Sequence, residues 1–272
     1  MTYSSKKPNI LYDPANNEGF LNHYHHFLFG YLLPVYIDVK EKKLDKTHNI
    51  FLLNVKSKSM NDKTKDLGFN VWGNPKVRWD TPLIRSTAKG FDGTNHPIDK
   101  KITGVINRYL IKRNKSVSQK PYILLLDRGK KVKAHRKQFE NTFGSERRTI
   151  VNIETVERIL SEYADVRRVD PQNFTLHQQI ELFKNAWMIV SQHGAALSNT
   201  IFTSKCKFMV EVVNDKKPDQ YDWFQSVSEA KGIARYRIHT RDNHCVCNTD
   251  EIRRIMEYLK SNNYIPTPIT ES

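Results

Sequence analysis

The residues best suited to chemistry gather in one short stretch, Ser191-Gln192-His193-Gly194-Ala195-Ala196, where small side chains surround a single imidazole. Small residues let a ligand approach the backbone, and an imidazole changes charge near neutral pH. The stretch follows an apolar run, Trp187 to Val190, and precedes a second, Phe208 to Val213, which Glu211 interrupts and whose end it marks. A second candidate is Asp127-Arg128-Gly129-Lys130, which closes the apolar run begun at Pro121. A buried strand that ends in Gly and Arg or Lys is a candidate phosphate site. Neither GxGxxG nor GxxxxGK[ST] occurs, so the usual dinucleotide fingerprint and the P-loop are both unsupported. A third group is Asn22, His23, His25 and His26, within the aromatic segment Glu18 to Tyr36. On a helix, Asn22 and His25 share a face, as do His23 and His26, so the histidines read either as packing residues or as a site. Asp80, Arg85 and Asp92 lie in a Pro- and Gly-rich region and read as a cleft border or as surface charges. His244-Cys245-Val246-Cys247 matches no common zinc spacing.

Elements that position these groups follow from periodicity and punctuation. From Pro121 onward strands and helices alternate: the strand from Pro121, a helix at Ile153 to Tyr163 after Arg147, Arg148 and Asn152, and a strand at Val166 to Val169. A helix at Thr175 to Asn185, the two apolar strands already named, and a helix at Trp223 to Lys231 ending at Gly232 come next. Ala234 to Ile238 is a strand, and Asp250 to Ser261 is a helix capped by Thr249 or Asp250. This alternation predicts an open parallel α/β sheet, with ligands at the carboxyl ends of its strands. In the first half, residues 1–18 read as extended, Glu18 to Tyr36 as a buried helix and Asn49 to Val55 as a strand. A Lys-rich loop reaches Gly68, Val71 to Asp80 contains turn residues, and Ile102 to Lys112 reads as a helix. The polar run Asn114 to Lys120 before Pro121 places the domain boundary there, giving units at 1–118 and 119–248, with 249–272 as a helix and tail packing back on the first domain.

At 272 residues the chain suits one large or two small domains. Its net charge of +15 favours anionic partners: nucleic acid, an anionic membrane surface or phosphate-bearing small molecules. No RRM, KH, zinc-finger or helix-turn-helix signature accompanies the charge, so nucleic acid is not the expected partner. No apolar run approaches the roughly 20 residues of a membrane span, and the start lacks the apolar stretch of a signal peptide. The sparse, odd set Cys206, Cys245 and Cys247 argues against a disulfide framework and for a reducing compartment. The expectation is a cytoplasmic protein.

Taken together and in order, these motifs resemble a family 61 glycosyltransferase. The resemblance rests on Gln179-Ile180-x-Leu182-Phe183-x-x-Ala186, then His193-Gly194-Ala195-Ala196-Leu197-x-Asn199-x-Ile201-Phe202, then Glu211 in the next strand. Arg128, the Arg147-Arg148-x-Ile150-x-Asn152 segment and Asn22-x-Tyr24-His25-His26-Phe27 add to it. The family implies a GT-B architecture: two Rossmann-like domains facing across a cleft. It also implies no catalytic metal, a nucleotide-sugar donor held by the C-terminal domain, and inversion at the anomeric carbon. Xylosyl, arabinosyl and N-acetylglucosaminyl transfer occur in the family. Members often carry an acid just after the Asn-x-Tyr-His-His-Phe motif, where this chain has Phe29. The short first half and the lack of an anchor fit a viral or bacterial enzyme working outside a Golgi setting.

Such a reaction must stabilise a leaving diphosphate and deprotonate an acceptor hydroxyl. The resemblance therefore assigns donor binding to Arg128, Lys131, Arg148, His193, Gly194, Ala195, Ala196, Asn199 and Glu211. Glu211 would either hold ribose hydroxyls or orient a neighbour. His25, then His26 and Asp80, are the candidate bases. No permanently bound cofactor is expected. A UDP-sugar, with UDP-xylose first, is the expected co-substrate, and a glycan or glycoprotein the acceptor. Two other functions stay open: a non-catalytic basic α/β protein that binds nucleic acid, and a degenerate transferase fold that only binds glycans.

Overall fold

The computed structural model of the chain describes residues 7–13, 24–53, 57–73, 83–87, 100–112, 120–128, 149–214, 224–241 and 244–266. It divides into two compact units, 1–97 with 175–177, and 98–174 with 178–272. The division therefore falls at 97/98 and not near 118. The helix expected to close the first domain belongs to the second, because its apolar residues Val105, Ile106, Leu110 and Ile111 are buried there.

The first unit carries a four-stranded parallel sheet: β1 (Asn9–Asp13), β2 (Asn49–Leu53), β3 (Asn70–Trp72) and β4 (Leu83–Thr87), in the order β3-β2-β1-β4. Between β1 and β2 the chain runs through α1 (Tyr24–Phe27), a π turn (Leu28–Leu32) and α2 (Leu33–Glu41). This segment is apolar on nearly every side and is correspondingly buried, from Phe27 to Val39. Tyr31 ties it to the sheet: its hydroxyl donates to Tyr12 O at 2.8 Å and accepts from Leu53 N at 2.8 Å. A short helix, α3 (Leu44–Thr47), leads into β2. The stretch expected as a Lys-rich loop contains a helix, α4 (Lys58–Asp66). It buries Met60, Thr64 and the stem of Lys63, whose ammonium lies over the Tyr24 ring at 5.8 Å.

The second unit opens with α5 (Lys100–Ile106), which runs into a π turn at Asn107–Ile111. Its sheet contains β5 (Tyr122–Leu126), β7 (Val166–Val169), β8 (Ala186–Gln192), β9 (Phe208–Asn214) and β10 (Ala234–Thr240). All five are parallel, in the order β7-β5-β8-β9-β10. Counted along the sheet's own strands, this is the doubly wound order 2-1-3-4-5, whose ligand position is the crevice between the first and third strands. That crevice lies at the carboxyl ends of β5 and β8. A two-stranded pair, β6 (Thr149–Ile150) with β11 (His244–Cys245), stands apart from the main sheet.

Alternation along the strands sends Ile123, Leu125, Met188, Val190, Val210 and Val212 into one core with α6 (Ile153–Ser161) and α9 (Thr249–Ser261). The C-terminal helix thus packs within the second unit: Ile252, Met256 and Leu259 enter that core instead of returning to the first domain. Its N-cap is Asn248, which accepts from Asp250 N and Glu251 N, so neither Thr249 nor Asp250 caps it. On the other face of the sheet lie α7 (Leu176–Asn185), a 3-10 helix (Ala195–Phe202) and α8 (Gln225–Lys231). Among the described residues no helix is long and apolar enough to cross a membrane.

Candidate functional site

The crevice is built first from Asp127 and Arg168. As β5 ends, Asp127 N still donates to Val169 O of β7 at 2.8 Å, while the carboxylate accepts from Arg128 N at 2.7 Å. Arg168 on β7 forks onto the same carboxylate, with Nε at 2.9 Å and Nη2 at 2.8 Å from Oδ2. Its Nη1 reaches Glu154 at 3.0 Å and Glu157 at 3.4 Å on α6. The forked contact fixes the backbone where Arg128 leaves the strand. Arg128 then extends to β8's end, where Nη2 donates to His193 O at 3.3 Å.

His193 is held from three directions. Its backbone N–H donates to Val212 O at 2.8 Å, extending the β8–β9 ladder. Its ring lies 5.4 Å from the Phe224 ring. Its Nδ1 lies 2.6 Å from Glu211 Oε1. A carboxylate oxygen accepts, so Nδ1 carries the hydrogen and the contact fixes the tautomer and the ring's orientation. Glu211 has no exposed surface. It sits inside β9 in register with Ser191, not at the strand's end, and projects to the same face as His193. Its second oxygen lies 3.5 Å from Arg235 Nε. Completely buried, Glu211 touches His193 and Arg235, the contacts that the second of its two expected roles, orienting a neighbour, requires.

Gly194 makes room for Arg128. Its backbone is extended (φ 171°, ψ 167°), which any residue adopts. A Cβ built there would stand 1.8 Å from Arg128 Nη2, so a side chain and the guanidinium cannot share the place. Beyond Gly194 the chain turns directly into the 3-10 helix, with Leu197 N donating to Gly194 O at 2.9 Å. Ala195 and Ala196 stand half-exposed at its start. Asn199 is completely buried, and its amide donates to Gln179 Oε1 at 2.9 Å. Gln179 in turn donates to Phe174 O at 3.0 Å and to Pro171 O. The motif residues Gln179 and Asn199 thus lock the loop to α7.

The structure gathers Arg128, His193, Gly194, Ala195, Ala196 and Glu211 at this one edge. Spacing alone missed Asp127 as a support, and Arg168 altogether; the available signal was two arginines inside the four-residue strand Val166–Val169. Lys131, Arg147, Arg148, Asp80, Asp92, Asn22 and His23 lie outside the described residues, as does the side chain of Arg85. In the first unit His25 is buried, and its ring meets those of His26 at 5.4 Å and Phe29 at 5.0 Å. Phe29, where family members often carry an acid, is a core residue. Asn152 clamps the backbone of Cys247 through two hydrogen bonds of 3.0 and 2.8 Å. Cys206, Cys245 and Cys247 are free and buried. Burial pushes the thiols of Cys206 and Cys247 up to about 12. Among the described residues no group of three His, Cys, Asp or Glu side chains could hold a metal ion.

The fold is a doubly wound α/β sheet, and its arginine, carboxylate-oriented imidazole and small-residue turn stand at the switch point where such sheets take their ligands. Residues 24–210, more than half of the chain, match the family described as Glycosyltransferase 61, and the chain belongs to that family. The matched region includes the Arg128, Arg168 and His193 positions and ends one residue short of Glu211. No curated protein matches the chain. Family membership makes the protein a glycosyltransferase and implies a sugar donor and an acceptor.

Proposed function

We propose that the β5–β8 edge binds the diphosphate of a nucleotide sugar, and that the enzyme transfers the sugar with inversion to a hydroxyl of a glycan or glycoprotein. The observation that carries this reading is the Arg128 guanidinium laid across Gly194 beside an imidazole fixed by a buried carboxylate. The leaving diphosphate meets Arg128, His193 Nε2 and the first N–H groups of the 3-10 helix, which have no partner within the helix. Lys131 and Arg148 add charge from the same half of the chain. With this set of donors, no metal is needed to neutralise the diphosphate.

The two units adopt a GT-B disposition in this reading, and the first supplies the acceptor side. There His25, with His26 and Asp80 as the next candidates, takes the proton from the acceptor hydroxyl. The acceptor oxygen bonds to the anomeric carbon as the bond from that carbon to the diphosphate oxygen breaks, and the nucleoside diphosphate departs. UDP-xylose is the first donor to test, on family resemblance. The free, buried cysteines accord with a cytoplasmic enzyme.

The testing experiment separates binding from turnover. His193→Ala is expected to weaken donor binding with a smaller effect on kcat at saturation. His25→Ala is expected to lower kcat while donor affinity holds. The reverse pattern would overturn the assignment of roles.

A further inference from the structure

A second polar cavity of about 320 Å³ lies within the second unit, at the opposite edge of its sheet. Asn107, Lys112, Thr203, Ser204, Lys207 and Lys231 are among the residues lining it, and among the described residues no acidic one does. Residues 203–207 lead into β9 and Lys231 precedes β10, so the cavity is at the amino ends of the strands. One strand length, about 20 Å, separates it from Arg128 and His193. It forms between α8, the segment before β9, and the place where α5 widens into its π turn; such widened turns recur at functional sites.

Lys231 shows what the cavity is built for. Its Nζ donates to Asn107 Oδ1 at 3.0 Å and to Thr203 O at 2.9 Å, which aims the ammonium and leaves one hydrogen for a further acceptor. Asn107, having accepted through Oδ1, presents its NH₂ group as a donor. Burial alone lowers the Lys231 ammonium to about 8, with no carboxylate offsetting the cost. Among the described residues neither Lys112 nor Lys207 pairs with a carboxylate. Lys112 and Lys207, both exposed, add two further cations at the rim, where an incoming anion would meet positive charge. The volume exceeds that of a lone oxyanion and lies at the small end of ligand pockets.

We propose that this cavity is a binding site for a small phosphorylated metabolite of sugar-phosphate size, separate from the donor edge. The three ammonium groups and the Asn107 amide hold the phosphate, and the exposed Ser204 hydroxyl oxygen, whose hydrogen goes to Lys184 O, accepts from the hydroxyl-bearing remainder. The site does not depend on the donor-site reading.

Calorimetric titration of the full chain with glucose 6-phosphate, inorganic phosphate and glucose tests it. Glucose 6-phosphate is expected to bind more tightly than inorganic phosphate, and glucose not at all. Lys112→Gln and Lys207→Gln, both exposed side chains, should each weaken binding at least about tenfold. Arg128→Gln, which alters the donor edge, should leave it within about twofold. The proposal is overturned if the wild type binds neither phosphate compound, or if inorganic phosphate or glucose binds as well as the sugar phosphate. Unchanged affinity in both lysine variants, or loss in Arg128→Gln, would overturn it equally.

Discussion

Gly194→Ala is the most informative single change at the donor edge. The added Cβ would lie 1.8 Å from Arg128 Nη2, 2.9 Å from Cζ and 3.3 Å from Nε, so the guanidinium has to leave. What yields is the far end of a flexible side chain, and the extended backbone at residue 194 suits alanine, so the fold carries little of the cost. The lost bond from Nη2 to His193 O, 3.3 Å long and partly buried, is worth about 1 kcal/mol. For a chain of this size that lowers Tm by roughly 2–4 °C. Donor affinity should suffer more. A charge-assisted contact to a phosphate is worth about 1.5–3 kcal/mol, which corresponds to roughly 10- to 150-fold weaker binding. Calorimetric titration with a UDP-sugar, paired with thermal unfolding, measures both effects. Arg128→Ala combined with Gly194→Ala should bind no worse than Arg128→Ala alone, because the two changes remove one contact. Donor affinity within twofold of wild type in Gly194→Ala would refute the argument, and so would full additivity in the double variant.

Three other outcomes follow from the same geometry. Glu211→Gln removes the buried negative charge between His193 and Arg235 and should cost on the order of 3 kcal/mol; an unchanged urea midpoint would count against the pair. Arg168→Ala breaks the fork on Asp127, costs about 1 kcal/mol because the group is partly solvated, and should raise the donor KM more than it lowers kcat; equal effects on both would contradict a positioning role. Lys231 has its folded pKa lowered to about 8 against 10.5 for the free side chain, so the unfolded chain binds the extra proton between those values and stability from this group rises with pH from about 8 to 10.5. The buried thiols of Cys206 and Cys247, raised to about 12, act in the opposite direction above pH 9. Lys231→Met should therefore gain less stability than wild type between pH 8 and 10.5 in matched denaturation series, and parallel curves would refute the assignment.

Much of the second unit was legible because its strands are apolar runs bounded by charge or glycine. The strands β5, β8, β9 and β10 lie where Pro121 to Leu126, Trp187 to Val190, Phe208 to Val213 and Ala234 to Ile238 place them, and α8 stops at Gly232, which adopts φ 66°. The first unit was harder to read. In α4, Met60 is the single apolar residue of KSMNDKTKD, so a lysine stem and a threonine methyl complete the buried face and no apolar period announces the helix. The two-residue strands β6 and β11 are too short to leave a period. The candidate loop was visible, yet the roles within it were not. Glu211 interrupts an apolar strand, which flags it; that it faces His193 depends on the register of β8 against β9. Asp127 and Arg168 are 41 residues apart and meet only because β5 and β7 are neighbours. Asn199 reads as a ligand group by type, and its burial against Gln179 is a tertiary fact.

In the proposed function the edge formed by Arg128, His193 and Gly194 holds a nucleotide-sugar diphosphate without a metal. A thermal-unfolding panel of UDP-, GDP- and CMP-sugars on the full chain, run with and without EDTA, tests it most directly. A donor at about 100 times its Kd adds about 2.7 kcal/mol to the folded state, a rise of roughly 5–10 °C for a chain of this size. That rise is expected with a UDP-sugar, unchanged by EDTA and absent in Arg128→Ala. No rise with any nucleotide sugar, or a rise that EDTA abolishes, would contradict it.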